Sequence, residues 1–291
     1  MAAESHPQKE SHPLKDSPEG MLGSTLAAER HAVKQLLEES LVQLYMPFDH
    51  LARAEIQKAA PFLCATTVLA TCIAKEDPAQ DTVKDNLYQQ RLYLGAALEM
   101  LRIALTIHQL LLRRVNQQTI VQNLPTEEED DANQRSITGS IILTGDYCFT
   151  QSAILAAKTD NVQVVEIFSQ TLKQVSEGIL RQLFAERETR TNRHVSQAGS
   201  QQRDSKERTA GEFLMKTTEY DAALILCKAG IDGTATLTAL TPTQIDTAKA
   251  LVEILLNQPQ NISNPAALSA LLATLPAAQR QRWREVLTEA S

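Results

Sequence analysis

The stretch Arg91–Asn116, RLYLGAALEMLRIALTIHQLLLRRVN, contains no proline and a single glycine, Gly95. Leu92, Ala96, Ile103, Leu110 and Val115 are accompanied by so many other apolar residues that almost every face is oily. A helix apolar on nearly all sides is normally buried inside a bundle. At 1.5 Å per residue it would run roughly 39 Å, the depth of a domain. Arg91, Glu99, Arg102, His108, Arg113 and Arg114 interrupt it too often for a membrane span. The stretch therefore predicts the central helix of a soluble all-α protein, entered from about Thr82.

Composition agrees. Of 291 residues, 43% are apolar but only 4% aromatic, with few glycines, which suits a helical globule rather than a sheet protein. The net charge of -7 argues against a general nucleic-acid binder, which would show a basic face. Cys64, Cys72, Cys148 and Cys227 are scattered among apolar neighbours with no Cys-x-x-Cys spacing, so they read as reduced core residues and not as metal ligands. The polar N-terminus shows no signal peptide, and a cytoplasmic protein without a membrane span is expected.

Outward from the central helix, Met1–Gly23 holds three prolines and almost no large apolar residue, and is expected to be a disordered tail. Its His6-Pro7 and His12-Pro13 pairs read as accidents of a polar tail. One helical domain is expected over residues 24–291. Ser24 and Thr25 can cap a first helix running to about Tyr45, and a second spans Asp49 to Ala74 with Pro61 as a kink or restart. Asn123–Gln134 reads as a loop carrying the acidic run Glu127–Asp131, which is expected to be solvated because successive side chains cannot converge on one ion. Helices follow over Ser136–Ala157 and, capped by Asp160, over Asn161–Glu188. Thr189–Gly211 is expected to be mobile, as a loop or a frayed helix. Residues 231–291 form a divergent helical part of that domain: a helix from Pro242 to Leu256, then Pro265–Thr274 and Pro276–Ala290, with Trp283, Val286 and Leu287 docking the last one.

Several motifs sit on this frame. Glu99-Met-Leu-Arg-Ile-Ala-Leu-Thr-Ile-His108 resembles the lead-in to the first aspartate-rich motif of trans-polyprenyl diphosphate synthases. Gly145-Asp146-Tyr147, followed by Ala156-Ala157, resembles that family's Ala-Gly-Asp-Tyr-Leu-Leu helix, and Gln182 stands where its Gly-Glu-x-x-Gln segment has glutamine. The resemblance covers roughly residues 30–230. It implies an isoprenoid-synthase-like antiparallel helix bundle around the buried central helix. It also implies that Glu99, His108, Gln182 and Lys58 are remnants of the family site, and that Gly145, Asp146 and Tyr147 lie near a subunit interface.

The chemistry departs from the family pattern. Where the resemblance places Asp-Asp-x-x-Asp, this chain has Gln109, Leu110 and Arg113, and no paired aspartates follow Gly230. Mg²⁺ needs oxygen ligands in near-octahedral geometry, which leucine and arginine cannot supply. The family's Gly-Gly-Lys-Arg-x-Arg-Pro segment becomes Glu55-Ile-Gln-Lys58-Ala-Ala-Pro61, with one cation for a diphosphate that needs several. Its Lys-Thr pair becomes Tyr220-Asp221. No catalytic residue, metal or cofactor is expected. The reading is a catalytically silent polyprenyl-synthase-like protein, a homodimer or a heteromer with an active synthase, serving regulation or assembly. The alternatives are a prenyl- or lipid-binding module with Leu105, Leu110, Leu111 and Leu112 lining an emptied cavity, and an atypical Mg²⁺-dependent prenyltransferase.

Overall fold

The structure, a computed structural model, describes residues 26–46, 48–59, 62–72, 81–121, 128–196, 222–257 and 265–290. Within these, the side chains of 81–85, 112–134, 182, 183, 185–196, 257 and 265 fall outside the description. All regular structure among the described residues is helical. The helices are α1 (Leu26–Ser40), α2 (Phe48–Lys58), α3 (Leu63–Thr71), α4 (Asp81–Val121), α5 (Glu128–Ala157) and α6 (Val162–Ser196). They continue as α7 (222–237), α8 (Pro242–Asn257), α9 (Pro265–Ala273) and α10 (Ala277–Glu289).

The 41-residue α4 contains the Arg91–Asn116 stretch and is the hub: α1, α2, α3, α5 and α6 all pack on it. Its middle, Leu94 to Ala104, is buried almost throughout. By length and composition alone, Asn86–Leu111 would pass for a membrane span, contrary to the sequence reading that its charges forbid one. Burial within the bundle is what marks it as a core helix.

Helix α3 is the other deeply buried element, with Cys64 to Thr71 inside the core without exception. Gly95 of α4 faces Ala65, where an added Cβ would lie 3.1 Å from the Ala65 Cβ, and this small-on-small contact brings the two axes together. Gly230 of α7 closes on α3 from another side, since a Cβ there would reach 2.8 Å from the Val68 Cγ2. On α10, Trp283, Val286 and Leu287 are buried and dock the last helix, which packs on α3 and α9, as the sequence suggested.

Local boundaries shift for identifiable reasons. The 49–74 helix is two helices, α2 and α3, separated around Phe62, whose φ of 57° lies in the left-handed region that costs an L-residue about 1–2 kcal/mol. The acidic run expected in a loop is partly helical, since α5 begins at Glu128. Asp160 does not cap α6. It takes a positive φ of 50°, and Asn161 caps instead, its Oδ1 accepting from the Gln163 and Val164 N–H groups at 3.0 and 3.2 Å. Helix α6 continues to Ser196, so the start of the polar 189–211 segment is helical. Residues 197–221 and the 1–23 tail lie outside the described residues.

Candidate functional site

Glu99 is fully buried near the middle of α4. One oxygen accepts from the backbone N–H groups of Cys64 (2.7 Å) and Ala65 (3.3 Å), the first turn of α3. Phe62 stands at the N-cap position of α3 and offers no capping side chain, so a carboxylate on a neighbouring helix satisfies the orphan donors. The other Glu99 oxygen accepts from Arg102 Nε at 2.8 Å. Burial disfavours the Arg102 charge, but the adjoining Glu99 carboxylate outweighs it and holds the guanidinium above its ordinary value. A buried carboxylate requires a cationic or hydroxyl partner. It finds the cation, and the helix cap is the part that sequence reasoning missed.

Arg102 faces a cavity of about 260 Å³ between α2 and α4, lined by Glu55, Lys58, Ala59, Arg102, Ile103, Thr106 and Leu110. Arg102 Nη2 has no hydrogen-bond partner there. Lys58, mostly exposed, donates to the buried Glu55 at 2.6 Å. One carboxylate, Glu55, and two cations thus line this cavity, and each cation is already paired, Lys58 with Glu55 and Arg102 with the Glu99 carboxylate. The volume falls below the roughly 300–1,000 Å³ of ordinary small-molecule sites. Leu105 does not line it. That side chain is buried in the core, whereas Leu110 and Leu111 are partly buried against it and Leu112 falls outside the description.

Nine residues beyond Glu99, His108 packs against Gly145 of α5. A Cβ on Gly145 would fall 2.3 Å from His108 Nε2, so only glycine admits the ring. The imidazole stacks at a tilt on Phe149, with centroids 5.1 Å apart, and its Nε2 lies 3.4 Å from Asp146 Oδ1. Burial lowers the His108 pKa from its ordinary value, and the Asp146 charge opposes that shift. Tyr147, next along α5, donates its hydroxyl to the Ser40 carbonyl at the end of α1 (2.9 Å). The Gly145-Asp146-Tyr147 motif therefore joins α5 to both α4 and α1. Its flank is apolar and open: Leu143 and Ile154 on α5 are exposed, as are Val42, Tyr45 and Met46 just beyond Ser40.

Gln109 and Leu110 follow His108 on α4, both partly buried; the side chains of Arg113 and Gln182 are outside the description. One amide oxygen beside a leucine falls short of the set of oxygen ligands that a divalent-cation cage needs. Among the described residues no three His, Cys, Asp or Glu side chains gather where they could hold a metal ion, and the Glu127–Asp131 side chains are not among those described. The site residues thus form two groups, Lys58 and Arg102 at the cavity with Glu99 behind Arg102, and His108 with Gly145 and Asp146 at the α4–α5 contact.

This architecture is the all-α isoprenoid-synthase fold. The chain superposes on a heptaprenyl diphosphate synthase from Staphylococcus aureus with a TM-score of 0.52 and 13% identity, covering 84% of this chain and 67% of that one. It matches a decaprenyl diphosphate synthase from Rhodobacter capsulatus at a TM-score of 0.52 and 19% identity, over 82% of this chain and 63% of the other. An isoprenoid synthase family member from Thermotoga neapolitana gives a TM-score of 0.52 and 12% identity, over 90% and 98%. The chain spans about two-thirds of the length of the first two. At such identities the likeness is one of fold. No protein-family model and no curated protein sequence matches the chain.

Proposed function

We propose that this chain is a catalytically silent relative of the trans-polyprenyl diphosphate synthases, acting as a regulatory or structural subunit beside an active synthase. The observation that carries the reading is the contrast along α4. Glu99 and His108 keep their places and have packing partners, while Gln109, Leu110 and Arg113 stand where the resemblance puts metal-binding aspartates. Stabilising a departing diphosphate takes concentrated positive charge. Lys58 and Arg102 are already engaged by Glu55 and Glu99, so the cavity between them carries little net charge for that task.

The assembly half of the proposal rests on the α5 flank. Exposed Leu143, Ile154, Val42, Tyr45 and Met46 cluster in sequence around the Tyr147–Ser40 contact, and apolar groups left in water mark interaction surfaces when they form a patch. A second subunit of the same fold, contributing its own metal site, is the partner that suits this division of labour.

The test is to purify the chain alone and together with an all-trans polyprenyl diphosphate synthase from the same cell. Turnover with Mg²⁺ and product chain length are then measured for each. The expected outcome is no turnover by the chain alone, a stable complex, and an altered product length or rate in the complex. Mg²⁺-dependent turnover by the isolated chain would replace this reading with the atypical-enzyme one. Failure to associate together with unchanged products would remove it.

A further inference from the structure

The thiols of Cys64 and Cys227 have no part in the capping of α3, and neither residue lines the cavity. Both are free and fully buried, one in the first turn of α3 and one in α7, 163 residues apart in the chain. Their sulfurs lie 3.8 Å apart, with the Cys227 thiol donating to the Cys64 sulfur. The approach is set by the backbone: Gly230, one turn beyond Cys227, lets α7 close on Val68 and on the Cys64 carbonyl, 3.8 Å from where its Cβ would lie. The Cys64 N–H is itself fixed by the Glu99 carboxylate. Cys72 and Cys148, also buried and free, have no such thiol neighbour among the described residues.

We propose that Cys64 and Cys227 are a redox modification site, a dithiol that hydrogen peroxide converts into a disulfide fastening α7 to α3. One thiolate attacks a peroxide oxygen, breaking the O–O bond and leaving a sulfenic acid and hydroxide, which takes up a proton to become water. The second thiolate attacks the sulfenic sulfur, the S–O bond breaks, and hydroxide leaves to become a second water. Two thiols lose two electrons and the peroxide gains them. Closing the bond to about 2.05 Å asks for a sulfur movement of under about 2 Å, within reach of side-chain rotation and a small helix shift.

In the closed bundle the reaction is held back. The thiol contact with Cys227 and burial both push Cys64 up from its ordinary value, so the nucleophilic thiolate is scarce until α7 opens. Oxidation should therefore be slow in the native chain and accelerate at urea concentrations below the unfolding transition. A loop of this length, once closed, restricts the unfolded chain strongly, so the oxidised form should melt roughly 5–10 °C higher.

The experiment oxidises the reduced full chain with hydrogen peroxide, traps remaining thiols with N-ethylmaleimide, and maps linked peptides by mass spectrometry without reductant. The expected result is one dominant linkage, Cys64 to Cys227, with a rise in Tm that dithiothreitol reverses. In Cys227→Ser the rise is absent. The peptide map of the unaltered chain decides the matter even if that variant folds poorly. Four alkylatable thiols after peroxide in sub-denaturing urea would overturn the proposal. So would linkages to Cys72 or Cys148 in yields comparable with Cys64–Cys227.

Discussion

The two ends of the described part of α4 are built to different standards. At the N-terminal end Arg91 is buried, donating to the fully buried Glu29 of α1 and, at 2.7 Å, to the Cys72 carbonyl beyond α3. Arg282 of α10 meets the same carboxylate at 2.5 Å and the Leu69 carbonyl at 2.9 Å, so four helices share one ionic junction. Beyond His108, by contrast, Gln109, Leu110 and Leu111 are only partly buried. The difference separates two reasons for a residue to persist. On the proposed reading Glu99, His108 and Gly145 keep features of the resembled pattern, and here they also hold helices together. Gln109 and Leu110, which on that reading stand in place of metal ligands, are left only partly buried by the bundle.

The largest effect expected from that contrast lies at the ionic junction. Glu29→Ala leaves the buried Arg91 and the partly buried Arg282 without their common carboxylate, and removing one partner of a buried ion pair costs about 3–5 kcal/mol. Urea unfolding of the variant should lose that much, whereas Gln109→Ala should fall within roughly 1 kcal/mol of the unaltered chain. Equal losses at the two sites would erase the distinction between the ends.

The sequence exposed the central helix because its apolar residues run around every face, a pattern that needs no tertiary information. It exposed Gly145 through a motif but not its reason, since the His108 ring that fills the space comes from a helix 37 positions away. Glu29 went unremarked, although a signal was present. It stands three residues after Leu26 and four before Val33, a carboxylate on the apolar stripe of an amphipathic helix. Its partners, Arg91 and Arg282, lie 62 and 253 residues away, and no local pattern links them. The cap that Glu99 gives α3 was hidden for the same reason. Phe62 reveals the need for a cap, and only the fold reveals the donor of it. The 160–161 boundary was misread because Asp and Asn both cap well, and backbone geometry alone chooses between them.

A middle-sized effect belongs to the α4–α5 contact. Gly145→Ala drives a methyl group into the imidazole, and an overpacked contact of this kind costs about 1–3 kcal/mol. His108→Ala in the same chain should return part of the loss, because the ring is the obstacle. A double-mutant cycle measures that coupling. Purely additive losses would mean that the two helices meet here without depending on each other.

The smallest effect is the pH response of the same contact, and it gives the sharpest view of what His108 does. Burial holds the imidazole below its ordinary value while Asp146 pulls the other way. The unfolded chain then accepts a proton that the folded chain resists. The His108 contribution is therefore complete above the unfolded value of about 6.5 and is lost as pH falls through the lower folded value. Urea unfolding between pH 7.5 and 5 should show a decline that is shallower in His108→Gln. Asp146→Asn removes the charge that favours protonation, so it should enlarge the shift and carry the decline to lower pH. If stability instead rose as pH fell and Asp146→Asn abolished the rise, Asp146 would be holding the protonated ring, and the contact would be a paired histidine and not a packed one.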